Sequence, residues 1–115
     1  MSRAKWFTDE ELTGMVDDIV FKLDRARDLF GSPIVLTCGY RSPERNAEIG
    51  GVPDSAHCKG MAADIQAPVD CEMREKLMWA LGAAGFQRVE SAERHFHADV
   101  DGTKPTPAWW IGTDK

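Results

Sequence analysis

Apolar residues recur at helical spacing from Leu12 through Met15, Val16, Ile19, Leu23 and Ala26 to Phe30. Thr8 and Glu11 ahead of this run have capping-box spacing, and Gly31 and Pro33 close it. The pattern predicts one amphipathic helix from a cap at Thr8 to Phe30, with Asp17, Asp18, Lys22, Asp24, Arg25 and Arg27 on its wet face. Residues 34–37 (Ile-Val-Leu-Thr) read as a short strand. Ser42 caps a short helix that starts with Pro43 in its first position, and residues 50–54 form a loop. A second strand covers 61–66. Asp70 caps a third helix carrying Met73, Leu77, Leu81 and Ala84, ended by Gly85. Residues 86–89 and 95–100 give two more strands, with a turn at Asp101 and Gly102, and the tail 105–111 reads as irregular chain packed on the body. The class is α+β: a small antiparallel sheet flanked by helices.

Side chains alternate faces along a strand. In 95–100, Phe96, Ala98 and Val100 therefore point one way, into a core, and His95, His97 and Asp99 share the other face. Taken alone, His-x-His also fits a solvated strand edge. The third histidine, His57, follows the 50–54 loop, and Asp64 stands seven residues on, inside the apolar run Met61-Ala62-Ala63-Asp64-Ile65. A carboxylate among small apolar residues is costly unless it is paired or bound to a metal, although a loop-capping Asp also answers to that description. Together the fragments supply two imidazoles and one carboxylate for a metal, with one imidazole spare. Three protein ligands and an open position describe a catalytic zinc rather than a structural one.

Composition narrows the classes. The chain has 115 residues, 43% hydrophobic and 29% charged, in keeping with one soluble globular domain over 1–115. Its net charge of −5 disfavours nucleic-acid binding, which draws on basic residues. No apolar stretch is long enough to span a bilayer, so membrane insertion is not expected. Asp9, Glu10 and Glu11 stand where an export signal needs an apolar run. The three cysteines, Cys38, Cys58 and Cys71, form no disulfide framework and read as reduced thiols. No Cys-x-x-Cys and no His-Glu-x-x-His occurs, which leaves zinc fingers and the common helical metalloproteases as poor matches.

The run Leu36-Thr37-Cys38-Gly39-Tyr40-Arg41-Ser42-Pro43, then Asn46, Gly50-Gly51 and Ser55-Ala56-His57-Cys58-Lys59-Gly60-Met61-Ala62-Ala63-Asp64, resembles the zinc D-alanyl-D-alanine carboxypeptidases. Their relatives include phage endolysins that cut L-alanyl-D-glutamate bonds, and the fold is shared with the hedgehog signalling domain. The resemblance implies that His57, Asp64 and His97 are zinc ligands. It implies that Arg41 contacts substrate or polarises its carbonyl, that Ser55 lies at the substrate side of the site, and that Asp99 orients the last zinc histidine. Two positions depart from the family pattern. Cys38 replaces its usual Ser, and Arg94 stands where many members place an acidic base. In related peptidases with a His-x-His strand the first histidine is the catalytic one, which gives that role to His95; Glu93 is the rival base.

The function this implies is zinc-dependent hydrolysis of peptidoglycan stem peptides by a monomer, either as a D-Ala-D-Ala carboxypeptidase or as an L-Ala-D-Glu endopeptidase. With no export signal visible, a lysin made in the cytoplasm, which reaches the wall by holin-type release or in a virion, reconciles substrate and sequence. The alternative is a non-catalytic, zinc-containing module that grips peptidoglycan or belongs to a virion.

Overall fold

The computed structural model describes residues 2–112. In chain order the elements are helix α1 (Asp17–Phe30), strand β1 (Leu36–Cys38), helix α2 (Pro43–Glu48), a 3₁₀ turn (Ala56–Lys59), strand β2 (Ala62–Gln66), helix α3 (Cys71–Ala84), and strands β3 (Arg88–Ser91), β4 (His95–Asp99) and β5 (Ala108–Ile111). The strands form one sheet in the order β1-β2-β4-β3-β5.

Local chemistry fixes most of these boundaries. Ser42 accepts a hydrogen bond from the Arg45 amide at the start of α2, and Asp70 accepts one from Met73 at the start of α3. Gly31 and Gly85 end α1 and α3 in left-handed conformations that only glycine adopts cheaply. Helix α1, however, starts at Asp17 rather than behind Thr8. Thr8 and Glu11 do make their reciprocal bonds, but around an isolated turn. Gly14 interrupts the helical path with a φ of +79°. Tyr40 packs so closely on it that a Cβ there would lie 2.5 Å from the ring. Leu12 and Met15 are still buried, so the apolar spacing marked core without marking continuous helix.

The sheet also departs from the expected antiparallel one. Strands β1 to β4 pair antiparallel, but the tail expected to be irregular forms β5, which joins β3 in parallel. The sheet is therefore mixed. Two prolines shortly before residue 108 mask a four-residue strand whose partner is remote in sequence.

Helices α1 and α3 pack against each other and cover one face of the sheet. Ile19, Leu23, Leu77 and Leu81 from the helices meet Ala63, Ile65, Val89, Phe96 and Ala98 from the strands in a continuous apolar core. Each large side chain buried there contributes about 1.5–3 kcal/mol. Alternation then sends the intervening residues to the other face. The register aligns Cys38 with Asp64, Asp64 with His97, His97 with Glu90 and Glu90 with Trp110. One row of side chains thus crosses all the strands on the face that the helices leave open. Among the described residues no helix is long and apolar enough to cross a membrane.

Candidate metal centre

The 3₁₀ turn presents His57. Ser55 caps it, its hydroxyl accepting the His57 amide at 3.2 Å, and Gly60 closes it at a φ of +70°. A Cβ on Gly60 would lie 2.0 Å from the Gly14 carbonyl oxygen, so the turn can seat against that segment only without a side chain. Ser55 is buried, and its observed contact holds the turn that carries His57.

His57 directs Nδ1 at the Gly39 carbonyl oxygen, 2.8 Å away, and Nε2 at Asp64 Oδ1, 3.2 Å away. His97 mirrors it. Its Nε2 lies 2.7 Å from Asp99 Oδ2, and its Nδ1 lies 3.0 Å from the same Asp64 Oδ1. The two rings meet edge to face with centroids 5.2 Å apart. Each outer nitrogen faces an acceptor and so carries a proton. In neutral imidazoles the inner nitrogens would then be lone pairs aimed at a carboxylate oxygen. Three acceptors converging on one point need a cation among them or a proton on each ring.

In the metal-free state the protons supply that need. Burial opposes charge on His57, but hydrogen bonds to Asp64 and Cys38 and the charge of Asp64 outweigh it, raising its pKa to about 10. Burial likewise opposes charge on His97, and its bonds to Asp64 and Asp99 raise its pKa. For Asp64, burial favours the neutral acid, but the two imidazoles hold the carboxyl well below the usual carboxylate range. A divalent cation held by the same three side chains would meet that need in place of the two protons. Two imidazole nitrogens and a carboxylate oxygen are a donor set suited to zinc.

Asp99 is fully buried and lies behind His97. Its other oxygen accepts from Arg88 Nε at 2.8 Å and from the Asp101 amide at 3.1 Å, which fixes the carboxylate that in turn fixes the ring. Arg41 reaches the centre through Cys38: its Nη2 lies 3.4 Å from Cys38 Sγ, and its Nη1 donates to Asn46 Oδ1 at 2.8 Å. His95 lies two residues before His97 on the same strand face, and its Nε2 is 3.3 Å from Glu90 Oε1. Glu93, the rival base, is exposed in the turn between β3 and β4, where its carbonyl accepts from Arg74.

Cys38, Asn46 and Glu90 carry contacts here that the sequence reading assigned no role. Cys38 Sγ lies 3.8 Å from His57 Nδ1, and donor atoms of Cys38, His57 and Asp64 all fall within 4.8 Å of one another. Asn46 is buried, and it holds the 50–54 loop through Val52 as well as holding Arg41. Both lie inside the motif run, which was the available signal; what they touch depends on register and loop path. Trp110 flanks the centre, its ring centroid 6.1 Å from that of His97.

Over residues 6–100 the sequence fits the family model of peptidase M15, with all of these side chains except Asp101 and Trp110 inside the match. The chain belongs to the peptidase M15 family. No curated protein matches it. The M15 peptidases are zinc-dependent, and the clustered donors of Cys38, His57 and Asp64 are of kinds that zinc accepts. A peptidase implies a peptide substrate, and the face opposite the helices is where this M15 chain assembles its polar groups.

Proposed function

We propose that this M15 chain is a zinc peptidase that hydrolyses the stem peptides of bacterial peptidoglycan, removing a terminal D-alanine or cutting the L-alanyl-D-glutamate bond, and that it acts as an endolysin reaching the wall by holin-type release or virion delivery. The observation that carries the reading is the convergence of His57 Nε2 and His97 Nδ1 on one oxygen of Asp64, with His95 on the same sheet face. His57, Asp64 and His97 would hold the ion. When bound there, zinc supplies Lewis-acid polarisation of a carbonyl and acidifies a water to a pKa of about 7.

The remaining work falls to side chains. Arg41, a fixed cation with a planar fork of donors, binds a substrate carboxylate or steadies the carbonyl oxygen as charge develops on it. His95 takes a proton from the attacking water and returns it to the departing amine, a task suited to imidazole near neutral pH. Asp99 keeps the His97 ring in the orientation and tautomer that point Nδ1 inward. Asn46 keeps Arg41 from swinging into solvent.

The test is the turbidity of chloroform-treated Gram-negative cells exposed to the purified protein. Clearing that a chelator stops and added zinc restores is expected. Binding to the wall without clearing, whatever the pH, would instead mark a non-catalytic peptidoglycan-binding module.

A further inference from the structure

Strand β3 contributes an acidic group that no part of the reading above uses. Val89 faces the core, so Arg88 and Glu90 face the site. Glu90 stands opposite His97 in register, and its carboxylate is gripped from two sides. Oε1 lies 3.3 Å from His95 Nε2, and Oε2 accepts the indole N–H of Trp110 at 3.1 Å. A third constraint comes from behind: a Cβ on Gly112 would lie 1.9 Å from Glu90 Oε2. Trp110 is itself seated, with the Arg88 guanidinium 4.9 Å from its ring centroid. Both Glu90 and His95 are about a quarter exposed, so the contact is partly shielded from water.

We infer that Glu90 is a positioning residue: its carboxylate, anchored by the Trp110 indole, selects the ring orientation and the Nε2–H tautomer of His95. The inference rests on the reading of His95 as the proton carrier. An imidazole on a strand face has two tautomers and two ring flips, and a fixed acceptor at one nitrogen selects among them. Trp110 gives the arrangement its direction. An indole N–H only donates, so whatever sits at residue 90 must turn an acceptor toward it.

That asymmetry supplies a sharp test. In Glu90→Gln the side-chain carbonyl must face Trp110, which turns the amide NH₂ toward His95 Nε2. That nitrogen must then accept, and the tautomer reverses. Long-range ¹H–¹⁵N correlation spectra of the zinc-loaded protein read the tautomer directly, whether or not the enzyme is turning over. Glu90→Gln is expected to move the His95 proton from Nε2 to Nδ1. It should lower kcat by roughly 10²-fold or more, the scale for a misplaced general base, with KM and zinc content unchanged. Adding Trp110→Phe frees the amide to rotate and should restore both tautomer and rate in large part. Glu90→Gln combined with His95→Ala should be no slower than His95→Ala alone.

An unchanged His95 tautomer in Glu90→Gln overturns the inference. So does a double variant slower than His95→Ala by the full factor of Glu90→Gln, because Glu90 would then be acting on its own. If the parent protein cleaves no stem peptide, the proposed function fails, and the spectra still decide whether Glu90 sets His95. Should Glu90→Gln not fold, Gly112→Ala, which displaces the same carboxylate from outside, must alter the His95 signals.

Discussion

Loading the metal-free protein with zinc should expel about two protons. The geometry gives the count. His57 and His97 each donate from the outer nitrogen, to Gly39 and to Asp99, and each points the inner nitrogen at Asp64 Oδ1 from 3.2 and 3.0 Å. In the absence of a cation the contacts to Asp64 favour a second proton on each ring, in line with a His57 pKa raised to about 10 and a raised pKa for His97. A ligand nitrogen must be deprotonated, so each ring yields one proton when the ion enters. Below both pKa values, apparent affinity then rises about tenfold per proton per pH unit, or about 100-fold for two, equivalent to roughly 2.7 kcal/mol.

The sign for the metal-free fold is opposite. A His57 pKa raised above its ordinary 6.5 contributes stability that is fully present below that value and is lost as pH climbs through about 10. Alkali should weaken the metal-free protein while it tightens zinc, so the gap in Tm between the two forms should widen with pH. The assay is calorimetric titration with zinc near pH 7 in buffers of different protonation enthalpy, which separates released protons from the heat of binding. Release near zero, with affinity flat across the neutral range, would refute the reasoning: the inner nitrogens would then not be the ones that meet the ion.

Three further outcomes follow from the same contacts. His95→Ala should keep its zinc and most of its stability but lose roughly 10²–10⁴-fold in kcat, whereas His97→Ala should lose both zinc and activity; elemental analysis beside peptide kinetics checks the pair, and zinc loss in His95→Ala would make His95 a ligand. Asn46→Ala removes the acceptor 2.8 Å from Arg41 Nη1 and should raise KM about tenfold or more, the scale of a hydrogen bond to a charged group, read from steady-state kinetics. Gly60→Ala forces a left-handed φ of +70° and a Cβ 2.0 Å from the Gly14 carbonyl oxygen, so it should cost more than about 1 kcal/mol in urea unfolding and weaken zinc binding by moving His57.

The candidate centre was legible to the extent that it lies in short-range spacing. Strand alternation alone put His95, His97 and Asp99 on one face, and the apolar run around Asp64 marked a carboxylate in need of a partner. The structure brings His57 and His97 each within hydrogen-bond reach of Asp64 and sets Asp99 behind His97. Register was not legible. Glu90 lies seven residues before His97, a spacing that reads as unrelated, yet the β3–β4 turn folds it directly opposite. Cys38 meets His57 and Asp64 only because β1 pairs with β2, and Trp110 reaches the site only because a short tail strand finds β3. The start of α1 was misplaced because burial and helicity part company at Gly14: Leu12 and Met15 keep the apolar period while a left-handed glycine breaks the helix between them.

The central claim, a zinc peptidase that cuts peptidoglycan stem peptides, is tested most directly by mass spectrometry of defined muropeptides incubated with the zinc-loaded protein and with its chelator-treated form. The account predicts a single new product series, either stems shortened by a terminal D-alanine or stems cut between L-alanine and D-glutamate, formed only by the loaded protein. Intact muropeptides after prolonged incubation with protein that holds one zinc per chain would contradict it.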